Sequence, residues 1–566
     1  MTANATAAVG AADMQVQDHW RGRARYTVFD SDGSHVQTLI DAWRLDAQRP
    51  ARLHVVALTD KLQPGFHRIP QADQGLTLDL LAAPLDAALA ELHAHPDFIY
   101  LHGAQGTDFI RPLARLTALG ARLEASGLDA GQRVALAAQG FAFDGDGATF
   151  STRKPRLPST PAPDRRALVL GAGVAGCAAA ARLCARGWQV TLIERHPQVA
   201  MEASGNLAGI FMPLLSRDDN IPTRLTRAAY LYALRLWEQL GGVGRAFDGD
   251  QCGVLQLARD AGHAAVSRAI AHEGRVPPDF ARWLEPLDAE ALLGLPAPDG
   301  GWLFPRGGWA RPGSVCEALL ASCGDLLTKR FDAGDVRLER VGDAWLASTT
   351  VGAGGNIVGQ APTVVLASGA GARHMAQSAD LPLQALRGQV THLAPGHAPR
   401  LPLVLCREAY LTPSAAGITC AGATYDLDAD PLLRVASQEE NVARLRGLVS
   451  DPRAAEGAPL AGRVGFRCVA PDRLPLVGRL PDFAAAGATE RLRDVPRHPG
   501  LYGLLGYASR GLIWAPLAAE LLAAQLEGEP LPLEMALVDA LDPARFVLRA
   551  RRNSRHPAPN ATDIGP

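Results

Sequence analysis

Lysine is almost missing from this chain. It stands only at positions 61, 154 and 329, so nearly all of the 56 basic residues are arginine. Two readings remain open: coding bias in a GC-rich genome, or a use for guanidinium groups at phosphates. An excess of one charge is missing too. A net charge of −2 over 566 residues excludes the global electrostatic signature of a nucleic-acid binder and confines any such role to a local patch. No apolar run is long enough to span a bilayer, and MTANATAAVGAADMQ lacks the basic-then-apolar order of a signal peptide. The cytoplasm is therefore the expected compartment, with no membrane partner. The eight cysteines are scattered, with no C-x-x-C pair and no zinc spacing, so neither a disulfide framework nor a metal is expected. Cys177 and Cys184 read as buried thiols of a helix. No repeat of fixed period is present.

What is there fits a globular protein of several domains. The composition is 48% hydrophobic and 20% charged, and the length exceeds one ordinary core. Residues 1–20 read as disordered. Residues 21–150 show weak α/β alternation: strands at 52–58 and 98–103, a helix at 107–120, then the β-prone runs RVALAA (133–138) and ATFSTRK (148–154). Within this region, VFDSDGSHVQTLIDAW (28–43) reads as strand, turn and helix, but its turn holds only Gly33. Residues 151–165, dense in Pro, Ser and Thr, read as a linker. A stronger α/β pattern fills 166–548, and 549–566 reads as a disordered tail.

Residues 167–195, ALVLGAGVAGCAAAARLCARGWQVTLIER, carry the clearest motif. A buried-type strand leads into Gly171, Gly173 and Gly176, the G-x-G-x-x-G of a dinucleotide loop. Gly171 allows the tight turn, Gly173 brings the backbone to a pyrophosphate, and Gly176 lets helix and strand pack closely. Val174 and Ala175 open the helix at the phosphates. Glu194 ends the second strand, where an acid accepts hydrogen bonds from an adenosine ribose, with Arg195 beside it. The acid favours NAD or FAD over a 2′-phosphorylated cofactor. Small residues follow at Ala203, Ser204, Gly205, Asn206 and Gly209, before Met212 and Pro213. They allow a large planar ligand to approach. A second βα-like element, TVVLASGAGAR (363–373), places Ala367 and Gly369 at another turn. The cofactor region, split by long insertions, points to FAD.

The chain resembles the D-amino-acid-oxidase-type FAD family. Within it, the chain resembles the bacterial bifunctional proteins of tRNA 5-methylaminomethyl-2-thiouridine biosynthesis. The similar blocks are ASGNLAGIFMPLLS, RGQVTHL, YLTP, GATYD, GRVGFRCVAPDRLPLVGRLPD, GYASRGLIWAPLAAELLAAQLEGEPLPLE and LVDALDPARF, in order from 166 to about 550. The resemblance implies an α/β fold. Its FAD-binding Rossmann-type parts would be about 166–225, 310–380 and 500–548. An inserted antiparallel-sheet substrate domain would be formed by about 226–309 and 381–499. It implies an oxidoreductase acting on a CH–NH group of tRNA. The carboxymethyl arm of 5-carboxymethylaminomethyl-(2-thio)uridine at the wobble position would leave as glyoxylate, and a 5-aminomethyl group would remain. Oxygen would be the electron acceptor and the protein a monomer. Arg467 would hold the substrate carboxylate, Tyr410 and Tyr425 would orient the substrate, and Arg510 would act beside them. Val336, Gly388, Tyr507, Gly511 and Leu512 would contact the flavin, with Arg387 and Gln389 beside Gly388. Phosphate contacts would fall to Arg21, Arg23 and Arg25 or to Arg549, Arg551, Arg552 and Arg555.

Residues 21–150 resemble that family's S-adenosylmethionine-dependent methyltransferase domain, in reduced form. The glycine-rich loop has become DSDGSHVQTL. Thr59, next to Asp60, stands where the ribose-binding acid belongs, and His102 replaces the acid of the L-D-G-F segment. The expectation is an oxidoreductase that has lost methyl transfer. The alternatives are a bifunctional enzyme, a free amino-acid or glycine-type oxidase on the same fold, and a non-catalytic flavin-binding scaffold.

Overall fold

The chain divides in space differently from its order in sequence. One unit comprises Met1–Pro163 together with Ala524–Val538, and the other comprises Asp164–Ala523 with Asp539–Pro566. The computed structural model describes residues 11–152, 161–350 and 355–555. The expected continuous domain 166–548 is corrected by this division, since 524–538 belong to the first unit. Most of the expected linker lies outside the described residues.

The first unit holds an eight-stranded sheet. Its central strand, Arg25–Asp30, pairs in parallel with Arg52–Leu58 on one side and Phe98–His102 on the other. The chain order reverses at this point, and the crevice at the carboxyl ends of such strands is where α/β sheets bind ligands. An antiparallel hairpin, Phe141–Asp144 with Gly147–Phe150, closes one edge. Sequence reading needs three corrections here. RVALAA lies in the helix Ala130–Ala138, because Asp129 and Gln132 form a reciprocal capping box that starts a helix. The helix expected at 107–120 is confined to Ile110–Leu116. Within the expected disordered start, Ala11–Trp20 is helical, and Val16 and Trp20 are buried in the core with Tyr26 and Leu39.

The second unit is built on two large sheets. The first runs Leu327–Arg330, Gln189–Ile193, Arg166–Leu170, Thr363–Leu366, Arg497–Leu505, Leu476–Pro481. It is parallel except for its last pair. Leu476–Pro481 was expected among the substrate segments, but it is an edge strand of this sheet. The second sheet has eight strands, from Arg282–Leu284 at one edge to Gln384–Leu393 and Gly462–Val469 at the other. It is antiparallel apart from Val254–Leu257 beside Val404–Cys406. The expected tail contains the helix Arg545–Arg555, while 556–566 lie outside the described residues. All eight cysteines are free, and among the described residues no helix is long and apolar enough to cross a membrane.

Candidate active site

The turn after Arg166–Leu170 is shaped by its glycines. Gly171 has φ +106°, and a Cβ there would lie 2.7 Å from the Ala367 carbonyl oxygen. A Cβ on Gly176 would overlap the Gly171 carbonyl. Gly176 therefore serves packing between helix and turn and does not line the cavity. Gly173 precedes the helix Val174–Cys184, whose first N–H, on Val174, donates to Ser204 Oγ at 3.1 Å. The Glu194 carboxylate is buried. It accepts from the N–H groups of Ala172 (2.6 Å) and His196 (3.0 Å). These bonds fix its orientation at the cavity edge, with acceptor capacity to spare.

A cavity of about 650 Å³ runs from this turn to the antiparallel sheet. Expected cofactor residues line it from several segments, Arg195, Ala203, Val336 and Ala367 among them; Gly176 and Gly205 do not. A Cβ on Gly205 would overlap the Arg463 guanidinium, so its glycine makes room for a side chain rather than a ligand. Ser368, in the second βα-like turn, lines the cavity with a buried hydroxyl that has no hydrogen-bond partner among the described residues. A helix N-terminus, a fixed acid, close-approach glycines and a waiting hydroxyl suit a dinucleotide. The residues present fit FAD.

At the far end, the two-residue alternation of paired strands sorts the side chains. Gly388 and Val390 line the cavity, as do Gly465, which pairs with Gly388, and Arg467, which pairs with Leu386. Arg387 and Gln389 point the other way and are fully buried toward the helix Val435–Val449, which corrects their expected place beside the cofactor. Arg467 Nη1 donates to the Thr424 carbonyl at 3.0 Å, and its guanidinium carbon lies 4.3 Å from the Tyr425 ring centroid. Tyr410, Tyr425 and Arg510 also line the cavity. Burial raises the phenol pKa of Tyr410, an effect reinforced by Cys420 and opposed by Arg467, so Tyr410 stays a neutral donor. Burial likewise raises that of Tyr507, whose hydroxyl has no partner among the described residues. Arg510 donates weakly to the Met212 carbonyl at 3.4 Å, and burial lowers its pKa. Pro213 does not reach the cavity, whereas His374, Met375, Glu408 and Phe466 do. Sequence reasoning missed these four because no local pattern marks them.

The FAD-dependent oxidoreductase family model matches residues 166–525. Proteins named tRNA 5-methylaminomethyl-2-thiouridine biosynthesis bifunctional protein MnmC align along almost the whole chain. The one from Burkholderia thailandensis is 40% identical over 95% of this chain and 92% of its own length. The one from Azoarcus sp. is 39% identical over the same shares. The chain belongs to the FAD-dependent oxidoreductases, within the MnmC family. Among solved structures, glycine oxidase from Geobacillus kaustophilus has a TM-score of 0.55 at 21% identity, covering 67% of this chain and 99% of that one. That likeness shows the fold. Iminodiacetate oxidase from Chelativorans sp. BNC1 has a TM-score of 0.51 at 26% identity, over 65% of this chain and 96% of that one.

The arginines suggested for phosphate contacts are largely engaged within the protein. Arg23 pairs with Asp97, Arg25 with Glu527 and Arg549 with Asp472, while Arg21 pairs with Asp18 at the surface. The side chains of Arg551, Arg552 and Arg555 lie outside the described residues.

Proposed function

We propose that this chain removes the carboxymethyl group from 5-carboxymethylaminomethyl-(2-thio)uridine at the wobble position of tRNA. The products are the 5-aminomethyl nucleoside and glyoxylate, with oxygen as electron acceptor. The observation that carries this reading is Arg467, a cation held flat in the cavity by a carbonyl and an aromatic face. A planar guanidinium is suited to bidentate capture of a carboxylate. The named action of two relatives supports it. MnmC proteins are named for biosynthesis of the methylaminomethyl nucleoside. Iminodiacetate, the substrate named for the 26%-identical oxidase, carries the same N-carboxymethyl secondary amine.

Bound FAD would supply acceptance of the two electrons and proton of a C–H bond on the methylene between amine and carboxylate, and loss of the amine N–H proton leaves a C=N bond. The chain's own residues do the rest. Gly171, Gly173, Val174, Glu194 and Ser204 would hold the dinucleotide. Arg467 would fix the carboxylate, so that the adjacent methylene has one orientation. Tyr410 would donate a hydrogen bond from its neutral phenol, and Arg510 would add positive potential near Met212. Water then hydrolyses the oxidised C=N bond, splitting amine from glyoxylate. The protein would act as a cytoplasmic monomer.

Methyl transfer is proposed to be lost. At the crevice of the first unit, the chain's own rings take the space. His35 stacks on Tyr100 with centroids 3.9 Å apart and planes within 4°, and His102 lies 5.1 Å from His35. The Asp30 carboxylate is occupied by the N–H groups of Asp32 and His35. The test is incubation of the flavin-loaded protein with hypomodified tRNA, with and without S-adenosylmethionine, followed by nucleoside mass spectrometry. The 5-aminomethyl nucleoside should accumulate in both. A methylated product would restore the bifunctional reading, and turnover of free glycine at rates matching tRNA would establish an amino-acid oxidase. Wild-type turnover that falls about a hundredfold in Arg467→Ala would exclude a scaffold.

A further inference from the structure

One loop at the cavity mouth combines two properties that rarely meet. It is pinned from inside by a fully buried cation, yet it turns large apolar side chains to water. The pin is Arg387. Its Nε donates to the Asp430 carbonyl at 2.8 Å and its Nη2 to the Leu432 carbonyl at 2.6 Å. Its Nη1 reaches Asp426 Oδ2 and Ser437 Oγ, each at 3.2 Å. The far end of the loop is tied to the same strand two residues on, since Gln389 Oε1 accepts from the Arg434 N–H at 2.9 Å. Asp428 and Asp430 are both bound by Arg434. The carboxylates are thus engaged by Arg387 from the strand and by Arg434 within the loop. What is left facing outward is Tyr425 (55% exposed), Leu427 (80%), Leu432 (70%) and Val435 (62%).

Ordinary flexible loops expose polar residues, and a fixed apolar surface marks a contact site. Its place suggests the occupant. Tyr425 both lines the cavity and opens to solvent, so it belongs to the rim over which a substrate enters. If the target is one nucleoside of a polynucleotide, only that nucleoside goes inside. Its covalent neighbours must lie on the rim. Unpaired bases are recognised by stacking on aromatic and apolar side chains, because every base has an apolar face.

We propose that residues 425–435 form a preorganised apolar platform for the unpaired bases flanking the target nucleoside. Arg387 acts as the positioning residue that holds the platform. This rests on the tRNA reading of the site. Rigidity matters because a loop already ordered does not lose conformational freedom on binding.

The test uses the flavin-loaded full chain and the double variant Leu427→Ser with Leu432→Ser. Both positions are exposed and lie outside the catalytic cavity, so folding and flavin content should match wild type. Each protein is assayed on hypomodified tRNA and on the isolated 5-carboxymethylaminomethyluridine nucleoside. The variant should raise KM for tRNA about tenfold, the size expected for losing one stacking contact. Its kcat, and its kcat/KM on the nucleoside, should stay at wild-type values. Equal losses on both substrates, or no loss on tRNA, would overturn the platform. A self-associated species in light scattering that the variant abolishes without change in tRNA kinetics would assign the loop to a second copy of the chain and also overturn it. If wild type converts the nucleoside but not tRNA, or neither, the tRNA reading fails in wild type, before any variant is compared, and the platform fails with it.

Discussion

Gly388 and Arg467 are diagonal neighbours on paired strands, and a Cβ on Gly388 would overlap the Arg467 guanidinium. The missing side chain is what lets the arginine lie across the strand into the cavity. Gly388→Ala should therefore behave as a mild Arg467 variant. Per bound flavin, it should lower kcat/KM about tenfold, chiefly through KM. Arg467→Ala should cost about a hundredfold, in line with two charge-assisted hydrogen bonds. Steady-state kinetics on hypomodified tRNA checks both. Wild-type kinetics in Gly388→Ala would mean that Arg467 does not hold the carboxylate from this position.

Glu194 ties the dinucleotide turn to the end of the second strand through its bonds to Ala172 and His196. Glu194→Ala removes the acceptor of two backbone N–H groups and the expected ribose partner together. FAD affinity should fall at least tenfold, a loss of about 1.4 kcal/mol or more. Flavin titration followed by fluorescence quenching measures it. Glu194→Gln should recover part of the affinity, because one acceptor remains.

Arg387 is fully buried with its donors spent on Asp426, Ser437, Gln389 Oε1 and two carbonyls. Arg387→Met leaves those acceptors unsatisfied and the Asp426 carboxylate without its cation. Destabilisation of about 3–5 kcal/mol is expected. Denaturant unfolding should show it as a lower midpoint. A midpoint equal to wild type would contradict the buried network.

His392 carries a pH signature. Its Nε2 is buried without a partner among the described residues, and burial together with nearby Arg463 lowers its pKa from 6.5. The unfolded chain takes up this proton below pH 6.5 while the folded chain resists it. Stability should fall as pH drops below 6.5 and then level off beneath the folded pKa. The group contributes no pH dependence above 6.5. Thermal unfolding across this range should show a shallower slope in His392→Gln; an identical slope would place the dependence elsewhere.

The intact dinucleotide loop was legible because its physics is local. A turn, a helix start and a strand-ending acid follow one another within thirty residues, and each residue type answers a nearby steric or electrostatic demand. The polar turn after Asp30 was legible in the same way, as a strand–turn–helix short of glycines. The helix at Ala130–Ala138 was misread because its apolar run suits either element, and Asp129 with Gln132 decides between them.

Sequence by itself determined the family, the two α/β regions, the cofactor loop and the residue types of the site. Tertiary structure alone decided three things. It separated Gly388 and Arg467 from Arg387 by strand alternation, sending neighbours in sequence to opposite faces. It showed that Gly205 makes room for an arginine and not for a ligand. It also brought Ser368, Glu408 and Phe466 from distant segments into one cavity. Pattern and propensity act over a few residues, whereas a cavity is closed by side chains that meet only when the sheets pack.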